Sequence, residues 1–449
     1  MGAEIDFTKG NIGRAIFLLA VPMIAEMIME SIFVIVDIYF VSQLGTEAVT
    51  AVGLTESVMT IVYAVAVGLS VATTAIIARR IGEKKPEKAS DSAFQAILAG
   101  VFASALIAII GIFFAKDLLR LMGAEESVVN IGNSYTSIMF SGNVVIMLLF
   151  IINAIFRSSG DAIISMVVLG IANLLNIILD PIFIFGFGPV PAYGVQGAAI
   201  ATNIGRGIAV IVQLYILFFG TRKIKLGVRH IKIQVKVIAD IYVLSFGSLF
   251  QNIIATTSWM ILVRIIAEFG SVAVAGYTIA VRIIIFVLLP AWGMSNAAAT
   301  LVGQNLGADQ AKRAERSVWI SGFVNVGFMG FVSLFLIIFS EGLVSLFISD
   351  SDVVSIGSEG LRYISFGFIA YALGMVLVQS FNGAGDTYTP MFINIIAFWL
   401  IEMPLAYFLA LKFGFEEKGV FIAVLVSETI MTILGIILFK RGKWKLKKV

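Results

Sequence analysis

Three acidic residues lie inside one long apolar stretch, residues 20–44, and these are Glu26, Glu30 and Asp37. A carboxylate near the centre of a bilayer costs roughly 2.5–3.5 kcal/mol on insertion scales. The spacing of the three acids places them near one face of a helix. Such a face must look into a polar interior, where a carboxylate can bind a cation or exchange a proton. We expect Asp37 to belong to a cation-coupling site.

A second set of candidate ligands lies further along the chain, in NIILDP. Asn173, Asn176 and Asp180 share one helix face. Pro181 cannot donate the helical hydrogen bond to the carbonyl of Ile177. A carboxylate, an amide and a free carbonyl are hard oxygen ligands of the kind that Na⁺ accepts, and a proton could occupy the carboxylate.

Two acids that approach each other in a low dielectric cannot both stay ionised at low cost. A paired Asp37/Asp180 site would therefore alternate between an empty, negative state and a filled, neutral state, as cation coupling requires. The structural alternatives are that Asp37 is neutralised by an arginine or by helix-terminal amides, and that Asp180 caps a kinked helix.

The composition indicates an integral membrane protein. Hydrophobic residues make up 59% of the 449 residues and charged residues 13%, against about 25% charged in soluble domains. The chain has no cysteine, and its single histidine, His230, lies in a basic loop. No nucleophile–base set is apparent in the apolar segments and no G-x-x-x-x-G-K-[ST] loop occurs. We expect no enzymatic activity, no cofactor beyond a coupling cation, and no direct use of ATP.

Apolar runs of about 20 residues predict twelve transmembrane helices and an all-α fold. The predicted spans are 16–41, 51–78, 93–115, 131–156, 162–186, 195–219, 240–267, 279–303, 317–339, 362–383, 388–411 and 420–439.

The basic residues predict the orientation. Most of the 31 lysines and arginines fall on one set of connections, together with the C-terminal KRGKWKLKK. The positive-inside rule then places both termini in the cytoplasm of a cell (inner or plasma) membrane. We interpret the basic tail as a topology signal that touches anionic lipid, and not as a nucleic-acid site.

The two halves of the chain repeat each other at a constant separation. Gly45 corresponds to Gly270, and FRSSGDA corresponds to FNGAGDT. An even number of spans per copy predicts two six-helix lobes, 1–220 and 240–449, joined by a basic cytoplasmic linker at 221–239. The lobes would be related by a pseudo-twofold axis along the membrane normal and would flank a central cleft. The counterparts of Asp37 and Asp180 are Leu262 and Leu405, so the scaffold itself does not require the acids.

These patterns together resemble the multidrug and toxic compound extrusion (MATE) family along essentially the whole chain. The resemblance rests on the twelve spans in two repeats, VDIYFVSQLGTEAVTAVGL, ANLLNIILDPIFI, GVQGAAIAT and the paired GD loops. It implies export of bulky, often cationic and aromatic compounds in exchange for Na⁺ or H⁺. In members with this motif the residues matching Asp37, Asn176 and Asp180 line the ion site, as metal ligands if the ion is Na⁺. Tyr135 and Thr202 match positions beside it.

Polar and adaptable apolar side chains are candidates for the walls of the substrate cleft. The candidates are Glu26, Glu30, Asn153, Gln251, Glu402, Met27 and Phe33, with Met59 and Met147 as further examples. Pro22 is the predicted hinge of the first span. Some relatives carry an acid where this chain has Gln251. Glu402 is a candidate for a second titrating acid, and its pairing with Arg264 or Arg282 is the structural alternative.

The nearest rival function is a lipid-linked precursor flippase of the same broad superfamily. Such a protein would be expected to present a strongly cationic cleft, whereas the intramembrane charge of the N-terminal half is mostly acidic. An intramembrane enzyme and a channel are weaker alternatives. We expect a monomer whose partners are small organic molecules and membrane lipid, without nucleic acid. The sequence leaves open the coupling ion and the identity of the substrates.

Overall fold

The computed structural model describes residues 5–449, and helices make up most of that range. No strand beyond an isolated bridge between Phe187 and Val190 occurs in the described range, so the predicted all-α fold is confirmed. The helices are α1 (Ile12–Ser42), α2 (Thr46–Gly82), α3 (Pro86–Leu121), α4 (Glu126–Ser141), α5 (Asn143–Ser159), α6 (Ala162–Phe185), α7 (Val195–Phe219), α8 (Val235–Ile266), α9 (Ser271–Gly307), α10 (Ala311–Ser345), α11 (Ser351–Gly383), α12 (Tyr388–Lys412) and α13 (Glu416–Lys440).

Eleven of these helices are each long and apolar enough to cross a membrane, and the pair α4/α5 supplies a twelfth candidate span. The two helices of this pair bend by 41° around Gly142. The bend falls inside the predicted span 131–156. An added Cβ at Gly142 would overlap the side chain of Asn203 on α7, so glycine allows this close approach.

The internal repeat of the sequence is also present in the backbone conformation. Left-handed residues, which leave the ordinary region for L-amino acids, recur at corresponding turns of the two halves. The pairs are Gly45 (φ 100) with Gly270 (φ 95), Lys84 (φ 59) with Asp309 (φ 56), and Gly160 (φ 95) with Gly385 (φ 83). The same helix–turn–helix geometry is therefore built twice.

The described residues form two compact units. The N-terminal unit is Ala25–Ser245, and the C-terminal unit combines the described residues up to Ile24 with Phe246–Val449. One boundary thus falls inside α1 and the other inside α8. The predicted linker at 221–239 packs within the N-terminal unit, where Gln95 Nε2 donates to the carbonyl of Lys232 at 2.7 Å.

Helix α12 departs from regular α-helical geometry. It is π-helical at Ile395–Glu402 and again at Phe408–Lys412, with a short α-helical segment, Met403–Tyr407, between them. Pro404 begins that middle segment and lacks the N–H that a regular helix would use. π-Helical turns are rare and occur frequently at functional sites.

The basic tail folds back onto the C-terminal unit. Trp444 is fully buried, and its ring stacks on Phe439 with centroids 4.6 Å apart. Lys445 forms an ion pair with Glu315 at 2.6 Å. The tail therefore has a packing role in addition to the contact with lipid that its charge predicts.

Candidate functional site

Asp37 and Asp180 lie together in the N-terminal unit. Asp37 is 8% exposed on α1, and Asp180 is fully buried on α6, directly before Pro181. Their carboxyl groups are within hydrogen-bonding reach of each other. Neither forms an ion pair with a lysine or arginine in residues 5–449, although the charge of Arg206 acts on Asp37 from a longer distance. The structure thus brings together two carboxylates that are 143 positions apart in the chain.

Asn176 and Thr202 complete the polar surroundings of this pair. Asn176 Nδ2 donates to Asp180 Oδ1 at 3.2 Å and to Thr202 Oγ1 at 3.2 Å. Gly205 makes the contact between α6 and α7 possible, since a Cβ there would lie 3.0 Å from the carbonyl oxygen of Ala172. The small residue on α7 therefore sets the position of the amide on α6.

Several oxygens around the pair have no hydrogen-bond partner within the described range. They are Asp37 Oδ1, Asp180 Oδ2 and Asn176 Oδ1, and all three are buried. Tyr135 is also buried, and both carboxylates act on it electrostatically. Carboxylate and amide oxygens suit a hard cation, and the donor chemistry fits Na⁺ or a proton. No group of three or more His, Cys, Asp or Glu side chains that could hold a metal ion occurs in residues 5–449.

Glu30 has a cationic partner. Arg206 Nη2 donates to Glu30 Oε1 at 2.7 Å, and the guanidinium lies 5.0 Å from the centre of the Phe33 ring. Arg206 is buried, and its Nε and Nη1 atoms make no hydrogen bond. Arg206 is therefore paired with Glu30 inside the N-terminal unit.

Glu26 belongs to a separate buried network. Its Oε1 accepts hydrogen bonds from Asn153 Nδ2 and Arg157 Nη1, each at 3.1 Å. Asn153 Oδ1 in turn accepts from Gln213 Nε2 at 2.6 Å. Most polar atoms of the predicted substrate residues Glu26 and Asn153 are thus hydrogen-bonded to other side chains of the protein.

The three acids of the first span therefore have three different partners. Glu26 pairs with Arg157, Glu30 pairs with Arg206, and Asp37 faces Asp180. Only the last of these contacts leaves an acid without a counter-charge in direct contact.

Two residues near this site were missed at the level of the sequence, Glu56 and Tyr63 on α2. The charge of Glu56 acts on Asp37 and on Arg206, and the Tyr63 hydroxyl faces Arg206. Glu56 lies inside the predicted span 51–78. The criterion that identified Asp37, an acid within an apolar segment, would also have found it.

The remaining predicted site residues have varied surroundings. Gln251 is buried in the C-terminal unit, where its Nε2 donates to Asn382 Oδ1 at 3.1 Å and to the carbonyl of Thr387 at 2.8 Å. Met27 is half-buried and Pro22 is buried, both on α1. Met59 and Met147 are 1% and 0% exposed, which makes them packing residues inside the N-terminal unit.

Eleven or twelve membrane-length helices in two repeated halves, with buried acids among them, define a polytopic membrane transporter. The family model MatE matches residues 22–182 and 248–408, one match in each half. The chain belongs to this family, and the resemblance to multidrug and toxic compound extrusion proteins is confirmed.

Relatives of known description align along nearly the whole chain. A probable multidrug resistance protein NorM of Thermotoga maritima is 27% identical over 98% of this chain and 94% of its own. The multidrug export protein MepA of Staphylococcus saprophyticus is 24% identical over 96% and 94%. A protein of Shewanella oneidensis described as an FAD transporter is 27% identical over 94% and 93%.

Solved structures agree with the fold. A MATE transporter in complex with MaL6 superposes with a TM-score of 0.92 at 25% identity, covering 99% of each chain. A transporter of the MOP superfamily from Pyrococcus furiosus gives the same score and identity over the full length of both chains, and is described as having a binding pocket of reverse polarity that suggests a different function. The family and its multi-pass membrane architecture are thus established, and the names of its relatives support multidrug efflux.

Proposed function

We propose that this protein is a secondary active antiporter that exports bulky, mostly cationic aromatic compounds in exchange for Na⁺ or H⁺. The observation that carries the proposal is the Asp37/Asp180 pair, two buried carboxyl groups in direct reach of each other without an ion-pair partner. A buried charge without a partner is costly, so the pair favours binding of a cation.

The proposed cycle begins when a cation enters from outside and neutralises the pair. Asp37, Asp180 and Asn176 supply the oxygens, and Tyr135 and Thr202 flank them. Neutralisation removes the repulsion between the carboxylates, which allows α1 to rearrange relative to α6. Pro22 serves as the hinge, and it lies two residues before Ile24, where α1 passes from one compact unit to the other. The rearrangement weakens substrate binding and releases the compound outside.

Glu26, Glu30, Asn153, Gln251, Met27 and Phe33 remain the proposed substrate residues. The burial of Glu402, which is 2% exposed, favours its other predicted role as a second titrating acid. The arginine partners of Glu26 and Glu30 reduce the net negative charge that these two acids offer a cationic compound. Phe33 offers its ring to Arg206, so an aromatic substrate could compete for that face. We further propose that the protein works as a monomer with lobes 1–220 and 240–449 and with both termini in the cytoplasm.

The test is efflux of a cationic dye by purified protein in vesicles, with sodium and pH gradients imposed separately. Transport driven by only one gradient identifies the ion. Asp37→Asn should abolish gradient-driven efflux while dye binding persists, and Asp240→Asn, an exposed acid on α8, is the matched control. Full gradient-dependent efflux by Asp37→Asn at normal protein levels would refute the coupling role.

The same vesicles discriminate between substrate classes. A panel that contains a cationic dye, a neutral aromatic compound and FAD tests the substrate prediction, because a relative is described as an FAD transporter. Preference for FAD over the cationic dye would contradict the proposed substrate class while leaving the cation pair intact.

A further inference from the structure

Two more carboxylates are buried in the C-terminal unit, on neighbouring helices. Glu402 on α12 is 2% exposed, and Glu428 on α13 is 6% exposed. Neither forms an ion pair with a lysine or arginine in the described range. Arg264, a candidate partner for Glu402, forms its ion pair with Glu268 at 3.1 Å on the exposed end of α8. These two acids are therefore buried without a counter-charge in contact.

Hydroxyl groups converge on Glu402. Ser427 Oγ, next to Glu428 in the chain, donates to Glu402 Oε2 at 3.1 Å. The hydroxyl of Ser258 on α8 also faces Glu402, but it is fully buried and does not reach hydrogen-bond geometry with any partner. Both hydroxyls could turn their lone pairs toward a bound cation.

Glu428 adds an oxygen with no partner. Its Oε2 atom is buried and makes no hydrogen bond in residues 5–449, and the charge of Glu402 acts on the group. Gly367 on α11 makes room for this oxygen, since a Cβ there would lie 2.7 Å from it. A buried carboxylate oxygen without a hydrogen-bond partner, held in a space that glycine provides, is typical of a group that binds a ligand and not of a packing contact.

The other titratable groups that face the pair are two tyrosines. Tyr277 on α9 interacts electrostatically with Glu402, and Tyr371 on α11 interacts with both acids. No lysine, arginine or histidine is among the groups that act on either acid. A bound cation is the simplest partner that would neutralise the carboxylates of Glu402 and Glu428.

The backbone around Glu402 is also irregular. Glu402 ends the π-helical segment Ile395–Glu402, two residues before Pro404. Wider turns of this kind rotate a side chain away from its place in a regular helix, and they recur where a helix carries a functional group. The geometry is local to the C-terminal unit and does not involve Asp37 or Asp180.

We propose that Glu402 and Glu428, with the hydroxyls of Ser427 and Ser258, form a second cation site that takes one monovalent cation, Na⁺ or H⁺. The site lies in the C-terminal unit and is independent of the Asp37/Asp180 pair. A chain with both sites would exchange a substrate against more than one cation, or would use the second cation to stabilise one state of the C-terminal unit.

The experiment measures the thermal unfolding midpoint of the purified full-length protein in detergent. One series replaces choline by Na⁺ at constant ionic strength and alkaline pH, and the other lowers the pH without Na⁺. A ligand that binds only the folded protein raises the midpoint. All variants carry Asp37→Asn, which breaks the first pair of carboxyl groups. The contribution of Glu428 is the part of the rise that a further substitution in this background removes, and this difference separates the test from that of the proposed function.

We expect Asp37→Asn to retain a cation-dependent rise of the midpoint. Adding Glu428→Gln should clearly reduce the rise, whereas adding Glu341→Gln, an exposed glutamate on α10, should leave it unchanged. A rise in the Na⁺ series assigns sodium, and a rise only in the acidic series assigns a proton. The proposal is overturned if Glu428→Gln keeps the full rise, or if Asp37→Asn shows none in either series.

A milder variant covers the case in which Glu428→Gln does not fold, as judged by gel filtration. Ser427→Ala removes the hydroxyl that contacts Glu402 and should increase the cation concentration, or the acidity, needed for half of the rise. An unchanged half-effective concentration would count against the site.

Discussion

Arg206 and Glu30 form a 2.7 Å ion pair between α7 and α1 inside the N-terminal unit. The same guanidinium lies against the Phe33 ring and is reached by the Tyr63 hydroxyl. Glu30, the partner of this guanidinium, lies two turns along α1 from Asp37. Because Arg206 already has Glu30 as its partner, it does not neutralise Asp37 by direct contact, and the Asp37/Asp180 pair has no counter-charge in contact with it.

Removing Arg206 alone should lower the stability of the protein, whereas removing Arg206 and Glu30 together should lower it much less. Arg206→Gln leaves Glu30 without its partner, and breaking a buried pair in this way costs about 3–5 kcal/mol. Since the Glu30 side chain is 29% exposed, we expect a smaller loss. The double variant Arg206→Gln/Glu30→Gln should recover most of it. Thermal unfolding of the four proteins of this cycle measures the coupling, and additive losses would contradict the ion pair.

Gly205 should control the cation affinity without touching the cation. In Gly205→Ala the new methyl would meet the backbone carbonyl of Ala172, which cannot turn away as a side chain could. The α6–α7 distance must then increase, and Asn176 moves with it. Gly205 lies outside the proposed ligands and positions one of them. Changes at such supporting positions lower metal affinity by roughly 10–100-fold, and we expect the low end of that range.

The matched control for this variant is on the same helix. A Cβ at Gly207 meets no atom within 4 Å, so Gly207→Ala should change the apparent cation affinity little. The half-saturating Na⁺ or proton concentration for vesicle efflux is the measurement. Equal behaviour of the two alanine variants would show that the packing of α6 on α7 does not set the site.

Hydropathy and repeats predicted the membrane helices and the doubled architecture, because the bilayer itself fixes the length and polarity of a span. Gly45 and Gly160 correspond to Gly270 and Gly385 in the repeat, and all four glycines adopt a positive φ in equivalent turns. The helix periodicity also placed the acids of α1 on one face. These features depend on local sequence alone.

The partners of those acids could not be predicted, because periodicity gives the face of a helix and not the helix opposite. Glu26 reaches Arg157 across 131 positions, and Glu30 reaches Arg206 across 176. The π-helical turns of α12 are likewise set by packing, with only Pro404 as a local sign. Glu56, by contrast, could have been identified from the sequence, because it is an acid within an apolar segment.

Trp444 should be the main residue that anchors the C-terminal tail to the C-terminal unit. Trp444 is fully buried against Phe439, and truncation of a large buried side chain costs about 3–5 kcal/mol. In Trp444→Ala this loss should release the tail locally, because only the last residues depend on the contact. Limited trypsin digestion should then cut at the tail lysines faster than in wild type. Leu446→Ala is the control, since Leu446 is 80% exposed, and equal digestion rates of the two variants would contradict the anchoring role.

Pro22 should matter for turnover and not for folding. A proline inside a helix costs about 3 kcal/mol relative to alanine, and Pro22 lies next to the point at which α1 changes from one compact unit to the other. Pro22→Ala restores the missing N–H donor and makes the helix stiffer at this point. We therefore expect an unchanged or higher unfolding midpoint together with slower gradient-driven efflux.

The comparison variant is Pro290→Ala, since Pro290 also lies inside a helix but far along the chain from either unit boundary. It should raise the midpoint in the same way and leave efflux near the wild-type rate. Because both substitutions remove one proline from a long apolar helix, a difference in efflux reports the position of the proline and not the general stiffening of a helix. If both variants slow efflux equally, the rate depends on the flexibility of the whole bundle, and Pro22 is not its hinge.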